Sequence, residues 1–369
     1  MMSKKKIYVC HETGNKNHYI GLEAYCDANE IYCCYREFAL FYQIKMIVKT
    51  GKLSLLLKLF VNVGFLISLL ISKNKIVVLG AAPYDWSMLI FYPMSSKHMF
   101  FYHSSWVNWD GSCVPKSADH FLSKRVKASW RSFLECGVKG VFCVSKRTQS
   151  EILKAYHVNS PTSVVNHSLD RNIFGRESRV NHSGDLLKCL YVGRIVEKKG
   201  IAEILSLASR LPHIEFGFVG NGDKLEYLKI NSKGLSNIKI YGHQVKSKVA
   251  DIMRKYDILL LPSKKGYGAW QELFGIALIE AMSMGLIPLA SNHFGPNEII
   301  TDGFDGYLID EKKLESEMYE KILFLQNAEP TLITDIKQNA VLASLQYDKS
   351  AIAIKWGLIL QKYLKGSDV

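Results

Sequence analysis

The sequence predicts an α/β protein of two doubly wound domains. Three observations carry that prediction. Short apolar runs recur along the chain with helical stretches between them, the alternation that builds parallel sheets. At 369 residues the chain exceeds the usual size of one domain. Near its middle, residues 176–186, RESRVNHSGDL, are polar and aperiodic and read as a linker. The domains are therefore expected over 1–180 and 186–345, with a separate tail over 346–369.

In chain order, the start MMSKKKIYVC has a basic beginning but no long apolar run, so it reads as a first strand, Lys6–Cys10, and not as a signal peptide. Its turn contains Gly14. A second strand is expected over Glu30–Tyr35 and helices over Phe38–Lys49 and Leu53–Ile71. Strands follow at Lys75–Gly80, His98–His103 and Val141–Ser145, then a helix over Arg147–Tyr156 and a strand over Val164–Asn166. The second half repeats the pattern, with strands at Leu187–Val192, Glu215–Val219, Ile238–Tyr241, Ile258–Pro262, Ile287–Ala290 and Gly306–Leu308 and a helix over Ile201–Arg210. Ser350–Leu364 carries an amphipathic helical pattern.

The longest apolar run, Leu59–Ser72, lies between Lys58 and Lys73 and is expected to be too short to span a bilayer. The simplest expectation for the Leu53–Ile71 helix is a crossover helix buried between the sheet and its neighbours. Its polar residues Ser54, Lys58 and Asn62 recur every four positions, a narrow stripe on an otherwise apolar surface.

Composition is ordinary for a globular protein, 48% hydrophobic and 22% charged. The formal net charge of +13 is unevenly placed. Residues 1–185 hold 24 Lys and Arg against 13 Asp and Glu, a net of +11, and the remainder nets +2. An anionic membrane surface, an anionic acceptor or nucleic acid could answer that excess. No basic stripe interleaved with aromatics occurs, which argues against nucleic acid. The eight cysteines, Cys10, Cys26, Cys33, Cys34, Cys113, Cys136, Cys143 and Cys189, include no Cys-x-x-Cys pair and no zinc spacing. They read as reduced, largely buried thiols of a cytosolic protein.

The stretch richest in chemistry is 266–285, GYGAWQELFGIALIEAMSMG. A helix expected from Phe274 to Met284 is apolar on nearly every face, yet holds one carboxylate, Glu280. A charged side chain is rarely buried without a partner. Glu272 lies at the mouth of the same helix. Were all eight intervening steps helical, the two would stand ~12 Å apart along the axis and ~80° around it. Such a pair could grip both ends of an extended polyhydroxylated ligand, with the helix-start N–H groups near Gly275–Ala277 facing an anion between them. Spacing alone is equally compatible with two unrelated carboxylates, one a cap and one a salt-bridge partner.

The flanking residues decide between these. Glu272, Phe274, Gly275 and Glu280 form a Glu-x7-Glu pattern with Phe-Gly inside it. Ahead of it stand Val192-Gly193-Arg194 with Lys199-Gly200, Val219-Gly220-Asn221-Gly222, Tyr241-Gly242-His243 and Leu261-Pro262-Ser263. After it come Gly285, Pro288, Gly295-Pro296-Asn297-Glu298 and Asp302-Gly303. In this order the motifs resemble the nucleotide-sugar glycosyltransferases of family 4, retaining enzymes of the GT-B fold. The resemblance is good over about 186–310 and faint before 95. It implies two Rossmann-like domains facing a cleft, with the tail crossing back to the first.

The resemblance also implies roles. Arg194 and Lys199 would clamp the diphosphate of the donor, supplying fixed positive charge to the leaving group. Lys198 reads as a solvated neighbour. Glu280 would accept ribose hydroxyls and Glu272 sugar hydroxyls. The N–H groups of Ile276 and Ala277, beside Gly275, would meet the phosphates. Gly220 and Gly222 would let backbone approach the donor. His243, Gln244 and Val245 would line the nucleobase pocket, and Trp270 and Gln271 would help to choose the sugar. Gly14 stands where relatives often carry two adjacent glycines, a departure that touches the acceptor loop. His103 ends the strand MFFYH; on its own it reads as structural, and by resemblance it faces the reacting sugar. Ser145 and Asn166 read as turn residues.

No Asp-x-Asp pair occurs, so a metal-independent reaction is expected, with no cofactor beyond a UDP- or GDP-linked sugar as substrate. The expected acceptor is a glycan or a polyprenyl-diphosphate-linked glycan of cell-surface polysaccharide synthesis. The first domain would meet it by docking peripherally on the cytoplasmic leaflet. A sugar-nucleotide epimerase or a phosphorylase on the same fold is the alternative enzyme reading.

Overall fold

The computed structural model describes residues 5–14, 16–109, 123–175, 186–265 and 271–364. The linker placed at 176–186 falls almost wholly outside them, as do Trp270 and Cys113. Two compact units are present, one formed by Met1–Ser168 with Lys349–Val369 and one by Leu169–Asp348.

The first unit runs β1 (Lys6–His11), α1 (Ile20–Ala28), β2 (Tyr32–Glu37), α2 (Leu40–Thr50), α3 (Leu53–Ile71), β3 (Ile76–Gly80), α4 (Met88–Met94), β4 (Met99–Ser104), α5 (Ser123–Ser132), β5 (Val138–Cys143), α6 (Lys146–Ala155) and β6 (Thr162–Val164). Its all-parallel sheet has the order β2-β1-β3-β4-β5-β6. The strands are apolar without alternation because both faces are covered. Val77, Leu79, Phe100 and Tyr102 pack to one side with Phe91, Trp130 and Phe133. Their neighbours Val78 and Phe101 pack to the other with Leu22, Tyr25 and Trp356.

The second unit runs β7 (Cys189–Val192), α7 (Ile201–Arg210), β8 (Phe216–Val219), α8 (Leu225–Asn231), β9 (Ile238–Gly242), α9 (Lys246–Met253), β10 (Ile258–Leu261), α10 (Ile276–Ser283), β11 (Ile287–Ser291), α11 (Phe294–Ile299), β12 (Tyr307–Ile309), α12 (Leu314–Gln326) and α13 (Pro330–Ser344). Its sheet is also parallel, in the order β12-β11-β10-β7-β8-β9. That is the Rossmann order, with strand direction of travel reversing between β7 and β10. The last helix, α14 (Lys349–Leu364), belongs to the first unit and packs on α1, where Gly21 admits Ile352 and Gly357 admits Tyr25.

Some boundaries differ from the sequence reading. The second strand begins two residues late because Glu30 turns the chain at φ 56°. The sixth begins at Thr162 because Val141 N–H already bonds Pro161 C=O. Helices α1, α4, α5, α8, α9 and α11–α13 were not anticipated; α5, for one, buries only Val126 and Trp130.

The larger correction concerns α3. It is not a helix buried between the sheet and its neighbours. Only 17% of its apolar window is buried, and its 19 residues are long and apolar enough to cross a membrane, contrary to the length argued from the run after Lys58. The polar stripe explains this. Asn62 is buried, accepts from Glu37 N–H at 3.1 Å and donates to Gln43 Oε1 at 3.2 Å. Gln43 Nε2 and Lys58 Nζ both reach the Glu37 carboxylate, at 3.2 and 2.5 Å. The stripe thus faces inward at Asn62, the exposed Lys58 reaches in to Glu37, and the helix shows its apolar side to solvent. Phe60, Val61, Ile67 and Ile71 are exposed, as are Phe41 and Val48 on α2.

Candidate active site

In the second unit the predicted residues gather at the carboxyl edge of the sheet, on both sides of the β7/β10 switch point, where open α/β sheets bind ligands. Arg194 and Lys199 follow β7. Gly193 N–H bonds Val219 C=O and Ile195 N–H bonds Asn221 C=O, tying this loop to the turn after β8. A Cβ on Gly220 would lie 1.8 Å from Gly193 C=O, and one on Gly222 would lie 2.1 Å from Ile195 C=O. What a side chain at these glycines would strike is the loop carrying Arg194. On the other flank Gly200, at φ +69°, meets Pro262. The loop carrying Arg194 and Lys199 is therefore held between two backbone contacts that only glycine allows.

Lys199 Nζ bonds Glu272 Oε2, and Ser263 Oγ donates to the same oxygen at 3.1 Å. Glu272 is not helical: α10 begins at Ile276, so the all-helical spacing between Glu272 and Glu280 does not apply. Instead Glu272 N–H donates to His293 Nδ1 at 3.1 Å, and His293 Nε2 meets Glu311 Oε2 at 2.9 Å. Burial holds His293 below its ordinary pKa, so it is neutral with its proton on Nε2. His293 and Glu311 went unnoticed in the sequence because they follow β11 and β12, far from Glu272 along the chain. Lys198 is half-buried, its ammonium pushed down by burial and then by Arg194 and Lys199, so it joins this cationic group instead of standing in solvent. Arg194 is exposed.

Gly275 starts α10 at φ +98°, and Ile276 and Ala277 form its partly exposed first turn. Glu280 lies one turn further, 9% exposed, and burial raises its carboxyl to about 7 against the pull of Lys246. Among the described residues no hydrogen bond to that carboxyl is formed. His243, Gln244 and Val245 stand after β9; His243 and Val245 are exposed, and Gln244 Nε2 is spent on Tyr241 C=O at 2.6 Å.

In the first unit His103 is buried at the end of β4 and pushed down to about 3, chiefly by burial. It belongs to a cluster the sequence did not reveal. His11 ends β1, His18 follows it, and His167 lies beyond β6; the rings of His18 and His167 are 4.5 Å apart and those of His103 and His167 6.4 Å. Burial lowers all of them, His11 to about 4. His11, His18 and His103 line a polar pocket of about 180 Å³ with Glu12, Gly80–Ala82 and Ser104. It lies at this sheet's own switch point, between β1 and β3. Gly14 does not line it; a Cβ there would strike Glu37 Oε1 at 2.2 Å. Ser145 caps α6 by accepting Thr148 N–H, and Asn166 bonds Val144 C=O and Lys355. Among the described residues no group of three or more His, Cys, Asp or Glu is placed to hold a metal ion.

Residues 176–341 match the family model of glycosyl transferases group 1. An uncharacterized glycosyltransferase of Methanocaldococcus jannaschii is 29% identical over 193 residues, 51% of this chain and 50% of that protein. The N,N'-diacetylbacillosaminyl-diphospho-undecaprenol α-1,3-N-acetylgalactosaminyltransferase of Campylobacter jejuni is 28% identical over 183 residues, 48% of this chain and 43% of that protein. The matches span half or less of the length of these curated relatives. Among solved structures, HepE of Anabaena with UDP and glucose has a TM-score of 0.69 at 16% identity, covering 97% of this chain and all of that one. Sucrose-phosphate synthase of Thermosynechococcus elongatus has a TM-score of 0.71 at 15% identity, covering 99% and 100%. Residues 176–341 therefore resemble the glycosyl transferases group 1 family, on a chain whose two parallel α/β units have the fold of GT-B glycosyltransferases.

Proposed function

We propose that this chain is a retaining glycosyltransferase that moves a hexose from a nucleoside-diphosphate sugar to a glycan acceptor carried by a lipid. The observation that carries the reading is the meeting of Lys199 with Glu272 at the switch point, beside Arg194 and the first turn of α10. Bond cleavage in a sugar diphosphate leaves a multiply charged group. Arg194, Lys199 and the helix-start N–H groups supply fixed positive potential where that charge develops. Glu272, held by Ser263 and His293, keeps Lys199 in place and offers its other oxygen to a sugar hydroxyl. Glu280 takes the ribose hydroxyls in a site with little water. With cations in these roles, the reaction needs no divalent metal.

The first unit docks on an anionic leaflet, in this reading, through the outward side of α2 and α3. Their exposed Phe41, Val48, Phe60 and Ile71 adjoin exposed Lys45, Lys49, Lys52 and Lys73. Shallow apolar burial and basic residues near anionic lipid add to each other. A similar curated protein is named for a diphospho-undecaprenol substrate, in keeping with an acceptor held at a membrane.

The test is nucleotide release from a panel of UDP- and GDP-sugars, with and without glycolipid extract, in EDTA. One donor should be hydrolysed slowly alone and faster with acceptor. No release from any donor, or release that EDTA abolishes and magnesium restores, would refute the reading as stated.

A further inference from the structure

The first unit holds a second cavity, of about 370 Å³, between α2, α3 and α4. Its floor is apolar, formed by Phe38, Leu66 and Phe91. The rings of Phe41 and Trp86 stand 6.4 Å apart at its rim, and Ile44 and Ile90 line it while remaining partly exposed. The volume falls within the range of small-molecule sites. The rim is continuous with the apolar outward side of α2, which carries Phe41 and Ile44.

Glu12 lines this cavity and also the histidine-lined polar pocket at the β1/β3 switch point. One carboxylate thus stands where an apolar chamber meets a polar one. Glu12 Oε1 accepts Ala82 N–H at 2.8 Å, which fixes the group at that junction. The second charged residue lining the apolar cavity is another carboxylate, Asp85, whose Oδ1 accepts Ser87 N–H at 2.8 Å. Among the described residues no Lys or Arg lines either chamber. The polar chamber offers neutral imidazoles, hydroxyls and the Trp106 ring, the lining of a hydroxyl-bearing ligand.

We infer that the two chambers together hold one amphipathic acceptor, its apolar chain between α2, α3 and α4 and its sugar in the histidine pocket, joined by an uncharged linkage at Glu12. The inference deepens the proposed function and rests on its lipid-carried acceptor. It also narrows it. A phosphate at the junction would meet two carboxylates with no cation among the described residues lining either chamber, and like charges at short range in a partly buried site repel strongly. A glycosyl group attached directly to an apolar aglycone meets no such penalty, and its hydroxyls can donate to Glu12. The basic residues outside, on α2, then serve the leaflet and not the acceptor.

The experiment titrates the full chain by calorimetry with dodecyl maltoside, dodecyl phosphate and maltose, the two amphiphiles below their micellar concentrations. Dodecyl maltoside should bind at least about tenfold more tightly than either of the others. The double variant Ile44→Asp, Ile90→Asp places charge in the apolar chamber at positions already partly exposed. It should lower dodecyl maltoside affinity at least about tenfold. Leu153→Gln with Leu358→Gln, exposed on α6 and α14 and lining neither chamber, should leave it within about twofold. Equal or tighter binding of dodecyl phosphate, unchanged binding by the Ile44/Ile90 variant, or equal loss in both double variants would overturn the inference. Donor hydrolysis without acceptor is measured in parallel. Its absence would remove the glycosyltransferase reading while leaving the amphiphile result standing, so the two failures are separable.

Discussion

Glu280→Gln should stabilise the second unit at alkaline pH while weakening its hold on the donor. The carboxyl is 9% exposed, accepts no hydrogen bond among the described residues, and is raised by burial from 4.5 to about 7. An acid with a raised folded-state pKa binds its proton more tightly when folded than when unfolded. Its contribution to stability is therefore complete below about pH 4.5 and declines as pH rises through about 7, where the folded state must carry a desolvated charge. The gap corresponds to a ceiling of about 3 kcal/mol, with the pull of Lys246 already included. Glutamine has the same shape and no charge to desolvate. Thermal unfolding of wild type and variant should coincide within error near pH 4.5 and separate by several degrees at pH 8, with the variant higher. Nucleotide affinity should move the other way, falling about tenfold or more as a charge-assisted bond to ribose is replaced by a neutral one. A Tm difference that is the same at pH 4.5 and pH 8, or a variant less stable at pH 8, would refute the reasoning.

Arg194→Ala should lower turnover on the order of 100-fold through loss of a preorganised charge at the leaving group, with little change in stability because the side chain is exposed; activity within threefold of wild type would sink the assignment. Gly220→Ala should cost on the order of 3 kcal/mol, because its Cβ would stand 1.8 Å from Gly193 C=O at φ +147°, and denaturant titration reads it directly. In liposome flotation the protein should float with anionic vesicles, less so at high salt, and Lys45→Glu with Lys49→Glu and Lys52→Glu should abolish it. Equal recovery with neutral vesicles would count against docking by charge.

Much of the fold was legible because parallel strands buried on both faces are written as short unbroken apolar runs, as in Ile258–Leu261 and Val77–Leu79, and their order along the chain follows from the helices between them. That the residues expected to face a donor would share one edge was legible for a related reason. Each follows a strand, and strands of a parallel sheet deliver their carboxyl ends to one edge, so Arg194, Gly220, His243 and Glu272 converge whatever the details of packing.

What sequence determined here was thus local chemistry and its position relative to each strand: a buried carboxylate on α10, cations after β7, glycines after β8. Tertiary structure decided which surface each element turns inward and which distant groups meet. The polar stripe of α3 points to Glu37 and Gln43, because a buried Asn62 with two partners outweighs several exposed leucines, so the helix wears its apolar side outward. Gly220 and Gly222 proved to seat the Arg194 loop, a contact between backbones 25 residues or more apart that no pattern along the chain records. His11, His18, His103 and His167 come from four separate places, and only the folding of β1 and β4 into one sheet, with the segment beyond β6, brings the first three to one pocket wall and sets His167 against two of them. Periodicity reports on neighbours three, four or two residues away; contacts across a hundred residues are set by packing.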